Sequence, residues 1–388
     1  KCEIGKKAKT GQTMFPEPFG MQFGGEKRTP DLNDLQILPE LFGGEVLFKN
    51  VKTDVVLGGF KSKAPIAVAA MGSTKVANLR GKAIAEGSAL AGIPMVIGEN
   101  MPATYGKKGM KERIKPYLDS YDGKNGAVIQ QGNGVDIKNK VFETAHELGC
   151  HGVEIKLGQG AKQGLGGEIK FESKEDAAKY AKMGYHIEKN PDGTFQRHTP
   201  TGSFDEQVLR DVVVKAKNVG LPIWVKIGMG RGIVRVVDAL EKIKKQEKAK
   251  IACLTVDGFG GGTGMSPWLV MNEMSIPSAC LMSALKEKPS FDIILAGGYN
   301  TGFDVAKGMM LGANGSSMGR SFLIAANSNG SKGVVNYVNA MKTELQMTAA
   351  VLRCKSADGM IGRKNNLIAL DAHSREMLGV TNNAKEVL

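Results

Sequence analysis

The sequence predicts a (β/α)8 TIM barrel with an N-terminal extension and a C-terminal helical extension, and three observations carry that prediction. Eight short apolar runs alternate with longer segments of helical periodicity. Several of those segments stop at glycine, as at Gly92, Gly149, Gly220 and Gly312, the residue that most readily takes the left-handed conformation ending a helix. Glycines and polar side chains gather directly after the apolar runs, where the mouth of such a barrel carries its site.

The strands are expected at 64–70, 94–98, 126–131, 152–157, 222–227, 250–256, 291–296 and 314–319. They are apolar on both faces, as strands covered by helices on one side and by a packed interior on the other must be. Helices are expected at 77–91, 136–148, 205–218, 234–247, 269–285 and 303–311. A doubly wound open sheet is the second architecture this rhythm allows. The division follows: residues 1–63 form an extension packed on the barrel, 64–330 the barrel, and 331–388 the C-terminal extension, in which 334–347 is periodic.

Composition excludes other classes. The 388 residues are 42% hydrophobic and 23% charged, ordinary for a soluble globular protein. No run of 18 apolar residues is present and the first residues have no apolar core, so neither a membrane span nor a signal peptide is expected and the location is read as cytoplasmic. The net charge is +13. Its lysines are interspersed with acids, as in 241–248, which fits solvated helix faces better than a nucleic-acid or membrane arm. Five cysteines at 2, 150, 253, 280 and 354, with no CxxC, argue against a disulfide framework and against a metal centre built by this chain alone.

Two loops suit a phosphate. Gly297-Gly298 and Gly319-Arg320 follow the last two strands, where barrels often hold one. Glycine lets backbone N–H groups approach an anion, and Arg320 adds a charge. No GxGxxG unit for a dinucleotide is present, so a flavin mononucleotide suits these loops better than FAD. Lys226 stands inside the apolar run Trp224-Val225-Lys226-Ile227, and a lysine is buried there only against an anion. It either stabilises the negative charge of a reduced flavin or pairs with a nearby carboxylate. Lys156 repeats the pattern one strand earlier and could grip a substrate carboxylate.

These motifs resemble the FMN domain of the glutamate synthase family. The segment 158–167 is similar to GQGAKPGxGG, 256–267 to (S/D)GxxGGTGxSP, Ala70-Met71-Gly72-Ser73 to AMSxGS, and 296–302 to the GGxxTG phosphate loop. The run 222–228 is similar to the PIYVKIG strand of the N-methylglutamate synthase branch, and the match is collinear from about 64 to 330. The resemblance implies FMN held by Met71, Gly72, Ser73, Gln130, Lys226, Gly261, Gly262, Gly297, Gly298, Gly319 and Arg320. It implies a 2-oxoglutarate-like substrate lined by Glu99, Lys156, Gln159 and Lys162, with Lys226, Glu99 and Lys156 as the catalytic group. The implied activity is reduction of an imine of 2-oxoglutarate to a glutamate-type amino acid.

The chain departs from the family pattern at three places. Asn100-Met101 replaces a glycine pair after the second strand, and Gln163 replaces a proline. The stretch 325–330 has no cysteine where the family binds a [3Fe–4S] cluster, and a companion glutaminase domain is not expected. The isolated chain is therefore expected to hold no iron, which iron and acid-labile sulfide analysis checks. Stoichiometric iron would overturn that expectation. Electrons are then expected from a separate iron–sulfur or flavin subunit or from a diffusible donor, with a homo-oligomer also compatible. An FMN oxidoreductase of another small polar substrate, and a flavin relay or structural subunit of a larger redox complex, remain as alternatives.

Overall fold

The computed structural model describes residues 30–160, 169–171, 173–198, 205–259 and 274–388. Eight parallel strands close into a barrel: β1 (Ile66–Met71), β2 (Met95–Ile97), β3 (Val128–Gly132), β4 (Gly152–Lys156), β5 (Ile223–Gly228), β6 (Ile251–Asp257), β7 (Asp292–Ala296) and β8 (Gly315–Met318). Each pairs with the next in order, and β8 pairs with β1. All eight lie where the apolar runs place them.

The helices between them are α1 (Lys75–Ala91), α2 (Met101–Ser120), α3 (Val141–Glu147), α4 (Glu206–Asn218), α5 (Ile233–Glu247), α6 (Leu281–Ala284), α7 (Gly302–Met310) and α8 (Arg320–Val351). Their caps follow local chemistry. The Thr74, Asp205 and Thr301 side chains accept backbone N–H groups at the starts of α1, α4 and α7, which relieves the donors a helix leaves unpaired at its first turn. Gly92 ends α1 at φ 68°.

Two helix expectations are corrected, and one helix is added. The segment 136–148 is two helices, Gly134–Lys138 and α3, because Lys140 turns left-handed at φ 58°. Of 269–285, residues 274–277 are not helical, Ser275 has φ 77°, and the described helix begins as a 3-10 turn at Ser278 after Pro277; residues 269–273 lie outside the described residues. Helix α2 was not anticipated at all. It carries Pro102 and Pro116 and breaks its helical angles at Gly106, features that hide helical periodicity.

The barrel floor is closed from the N-terminal side by a hairpin, Val55–Leu57 with Phe60–Ser62. Its tip carbonyl at Gly58 accepts the indole N–H of the fully buried Trp224 at 2.9 Å, and the Gly58 N–H donates to Asp292 at 2.8 Å. Leu35–Ile37 pairs antiparallel with Leu367–Ala369. Helix α8 continues past the barrel to Val351 with a break at Asn329 and Gly330, and Arg80 of α1 donates to Asn327 on it at 2.6 Å.

After β4 the chain makes an insertion. The helix Lys174–Lys182 leads into the strands His186–Lys189 and Phe195–His198, which pair antiparallel. Ala177, Tyr180 and Tyr185 form a small second core with Ala103 of α2, packed by Val135. The insertion therefore sits against the elements that follow β2 and β3.

Candidate functional site at the barrel mouth

In a parallel barrel, in-register residues share a face, and alternate residues along a strand point the same way. Register pairs Glu154 with Trp224 and Lys156 with Lys226 across β4 and β5, and Lys226 with Thr255 across β5 and β6. Glu154, Lys156, Lys226 and Asp257 therefore rise together on the inner face above the Trp224 floor.

Two ion pairs organise this face. Lys226 meets Asp257 at 3.2 Å, with each side chain 8% exposed. Burial pulls the Lys226 pKa down, but the Asp257 and Glu154 carboxylates outweigh it and hold it above the usual lysine value, so the ammonium stays charged. The carboxylate partner that the sequence offered as one account of Lys226 is thus present. The second pair is Lys156 with Glu99, and Lys156 also donates to Gln159 at 2.5 Å. The structure brings Glu99, Lys156 and Gln159 together. Lys162 lies outside the described residues, as do Gly261 and Gly262.

Glu154, fully buried, accepts from Gln131 at 2.5 Å. Burial pushes its pKa up to about 7 against the opposing pull of Lys226. Asp136, on the short helix after β3, accepts the Asn100 N–H at 2.8 Å, and burial lifts its pKa to about 6. Asn100 sits left-handed at φ 64°. Its side-chain oxygen accepts from Asn133 at 3.0 Å and from the Tyr185 hydroxyl at 2.6 Å. This Asn100–Asp136–Tyr185 cluster was not anticipated. Its parts come from three distant segments, of which Asn100 alone stood out in the sequence, as a replacement of the family's glycine; Glu154, outside the cluster, had a signal in its place two residues before Lys156 on one strand face.

A pH dependence follows from Glu154. Between its ordinary value of 4.5 and about 7 the folded chain keeps a proton that the unfolded chain has lost, so stability falls as pH rises through that window. The loss is of order 3 kcal/mol. Glu154→Gln should flatten the fall when unfolding is followed from pH 4.5 to 7.5. An equally steep fall in the variant would place the titration elsewhere.

The residues expected around the flavin occupy the rim. The Met71 carbonyl accepts from Gly98 N–H and from Arg113, both at 3.1 Å. A Cβ on Gly72 would lie 2.6 Å from the Glu99 carbonyl, and one on Gly98 2.3 Å from the Gly72 nitrogen, so the ends of β1 and β2 touch backbone to backbone. The Ser73 carbonyl accepts from Tyr105 at 3.0 Å. Gln130 is buried; its amide nitrogen serves the carbonyls of Ile97, Gly98 and Gln131 while its oxygen has no partner.

The two phosphate loops differ. At the start of α7, Asp304 takes the N–H groups of Asn300 and Thr301 at 2.9 Å, and Glu344 takes that of Gly302. At the start of α8, Gly319 provides no side-chain cap. Arg320 there is partly buried, which lowers its pKa, and no charged group among the described residues shifts it further. Gly298, at φ 88°, has open space where a Cβ would be. The start of α8, rather than that of α7, whose donors are already taken, is where an anion could be held.

A closed barrel with charged, glycine-edged chemistry at the carboxyl ends of its strands is the class of (β/α)8 protein that carries its site at the mouth. The chain belongs to the family defined by the conserved region in glutamate synthase, whose family model matches residues 45–332. It is 24% identical over 312 residues to an archaeal glutamate synthase [NADPH] of Archaeoglobus fulgidus, covering 77% of this chain and 52% of that protein. It is 23% identical over 331 residues to a glutamate synthase large subunit-like protein of Rhizobium meliloti, covering 79% of this chain and 67% of that one. The chain thus spans about half the length of the archaeal relative. Among solved structures, a flavocytochrome b2 variant with sulfite bound superposes with a TM-score of 0.64 at 18% identity, over 98% of this chain and 89% of the other; this likeness speaks for the fold. Among the described residues no helix is long and apolar enough to cross a membrane, and no group of three or more His, Cys, Asp or Glu could hold a metal.

Proposed function

We propose that this chain is an FMN-dependent oxidoreductase that reduces an imine of 2-oxoglutarate to a glutamate-type amino acid, as one subunit of a larger complex. The observation that carries the reading is the pair of ion pairs inside the mouth, Lys226 with Asp257 and Lys156 with Glu99, in a chain of this family. The residues present fit FMN: the partnerless buried oxygen of Gln130, the open cradle at Gly298 and the uncompensated Arg320 are features a flavin and its phosphate would satisfy.

FMN, when bound, supplies hydride transfer. Arg320, Gly298 and the N-terminus of α8 would hold its phosphate, and Met71, Gly72 and Ser73 would border its ring. Lys226, charged against Asp257, keeps a positive charge on the inner face, which favours negative charge developing beside it. Glu99 holds a proton or orients an amine, and Lys156 fixes it in place. Lys156 is itself held by Glu99 and Gln159, so its grip on a substrate carboxylate requires that pair to open. A second reading, an FMN oxidoreductase of a different small polar substrate, is favoured by Asn100, whose side chain with Asn133 and Tyr185 fills space that glycine leaves open in the family pattern. Electrons reach the site from a separate iron–sulfur or flavin subunit.

Denaturing the purified protein should release FMN. Chemically reduced protein mixed anaerobically with 2-oxoglutarate and ammonium or methylamine should regain its oxidised flavin absorbance. Release of FAD sinks the cofactor assignment. A reduced flavin that neither amine reoxidises sinks the reaction.

A further inference from the structure

Helix α2 packs against α1 outside the barrel, yet two of its side chains take hold of the loop after β1. Arg113 is 3% exposed. Its guanidinium donates to the Met71 carbonyl at 3.1 Å and reaches the Gly72 carbonyl at 3.5 Å. The Tyr105 hydroxyl, from the same helix, donates to the Ser73 carbonyl at 3.0 Å. The arginine passes because α1 carries a glycine at 81, where a Cβ would lie 2.2 Å from the Arg113 Nε. Burial lowers the Arg113 pKa to about 10, which leaves it charged at neutral pH, and no carboxylate among the described residues shifts it. An apolar side chain would join α1 to α2 without the several kcal/mol that burying an ion costs. Packing alone therefore gives no account of this charge.

The geometry of the peptide gives one. No peptide bond among the described residues is cis, and in a trans peptide the N–H points opposite to the carbonyl before it. With the carbonyls of Met71, Gly72 and Ser73 held toward α2, the N–H groups of Gly72, Ser73 and Thr74 turn the other way. The Met71 carbonyl also accepts from Gly98 at the end of β2, and β1 lies between β2 and β8. The other way is therefore toward the end of β8 and the open mouth. None of the three N–H groups has a partner among the described residues. Successive N–H groups turned one way form a concavity for an electronegative group, and a cation on their carbonyls polarises them further.

We propose that Arg113 is a positioning residue for the flavin: from outside the barrel it aims the N–H groups of the loop after β1 at an electronegative edge of the ring, so that the chain holds the reduced, negatively charged ring more tightly than the oxidised one. This rests on the reading that FMN lies with its ring against Met71, Gly72 and Ser73. It goes further by giving part of the control of the ring's charge to a residue that never touches it. Donors fixed in advance where charge develops cost no rearrangement when it appears. Tyr105 does for the Ser73 carbonyl what Arg113 does for the two before it.

Two measurements on the full, flavin-loaded chain test this. The first is the midpoint potential, which reports affinity for reduced relative to oxidised FMN. Arg113→Met keeps the apolar stem and loses the fork; relative affinity for reduced FMN should fall about 10-fold, the worth of a hydrogen bond to a charged group, read as a drop of about 30 mV for a two-electron couple. Gly81→Ala keeps the charge but pushes the guanidinium off the carbonyls, and should lower the potential likewise. Arg113→Lys should recover part of the loss. Tyr105→Phe should act in the same direction by a few-fold, and it decides the matter if the Arg113 and Gly81 variants do not fold. The second measurement is hydrogen exchange of the 72–74 amides with and without FMN. FMN should slow it at least 10-fold in wild type and less in Arg113→Met, while protection around Gly298 and Arg320 stays. Protection in wild type together with unchanged potentials in the variants, whatever their melting temperatures, overturns the proposal and leaves Arg113 a strut between two helices. Absence of FMN in wild type, or FMN that leaves these amides unprotected, falls on the parent reading instead.

Discussion

Lys226→Met should lower both the melting temperature and the reduction potential of the flavin, and the two losses have separable causes. Lys226 and Asp257 are both almost fully buried at 3.2 Å. Removing the ammonium leaves a carboxylate in the interior with its counter-charge gone, a change that typically costs about 3–5 kcal/mol. Methionine fills a similar volume, so little of that loss is a cavity. The potential should fall because the positive charge that favours electron-rich flavin has gone. Adding Asp257→Asn to the variant removes the stranded negative charge, so it should restore much of the stability and only part of the potential, because the ammonium is still missing. Thermal unfolding and redox titration of the single and double variants read the two effects. A single variant as stable as wild type would mean that water reaches Asp257, and an unchanged potential would mean that Lys226 does not face the flavin.

The barrel was legible because its strands are buried on both faces. Such strands read as unbroken apolar runs, as in Ile293-Ile294-Leu295, and an ion inside one is conspicuous, which is how Lys226 and Lys156 were found. The carboxylates that pair with them were harder to read. Asp257 ends its strand in register with Gly228, and Glu99 reaches Lys156 across 57 positions of sequence. Only strand order and register bring these residues together. Helix α2 was hidden by Pro102, Gly106 and Pro116, and the insertion by its short polar strands, in which His186–Lys189 has no buried residue. Of the part of the site those two elements build, Asn100 was legible only as a departure from the family's glycine, and its partner Tyr185 was invisible. The phosphate loops were half legible. Glycine pairs announce a backbone that approaches something closely, but whether Asp304 or Glu344 already occupies the nearby N–H groups is a matter of side-chain placement.

That last point makes neighbouring glycines behave differently. Gly297 and Gly298 both have positive φ, 95° and 88°, so alanine at either strains the backbone by roughly 1–2 kcal/mol. Beyond that strain their surroundings diverge. A Cβ on Gly297 would sit 2.7 Å from the Gly258 carbonyl, and a Cβ on Gly258 would in turn meet Ser278 N at 2.2 Å, so this contact between β6 and β7 has no room to give. Gly297→Ala should therefore unfold at a clearly lower temperature with or without flavin. A Cβ on Gly298 meets nothing within 4 Å; the methyl group points into the space assigned to the phosphate. Gly298→Ala should fold with a modest loss of stability and lose FMN affinity by on the order of 100-fold, since a buried charged acceptor deprived of its donors costs about 3 kcal/mol. Arg320→Gln should weaken FMN in the same direction without touching the backbone. Stability of the flavin-free proteins, with FMN dissociation followed by its fluorescence, separates the three variants. A Gly298→Ala protein that binds FMN as wild type does would move the phosphate away from this loop and remove the basis for assigning Arg320 to it.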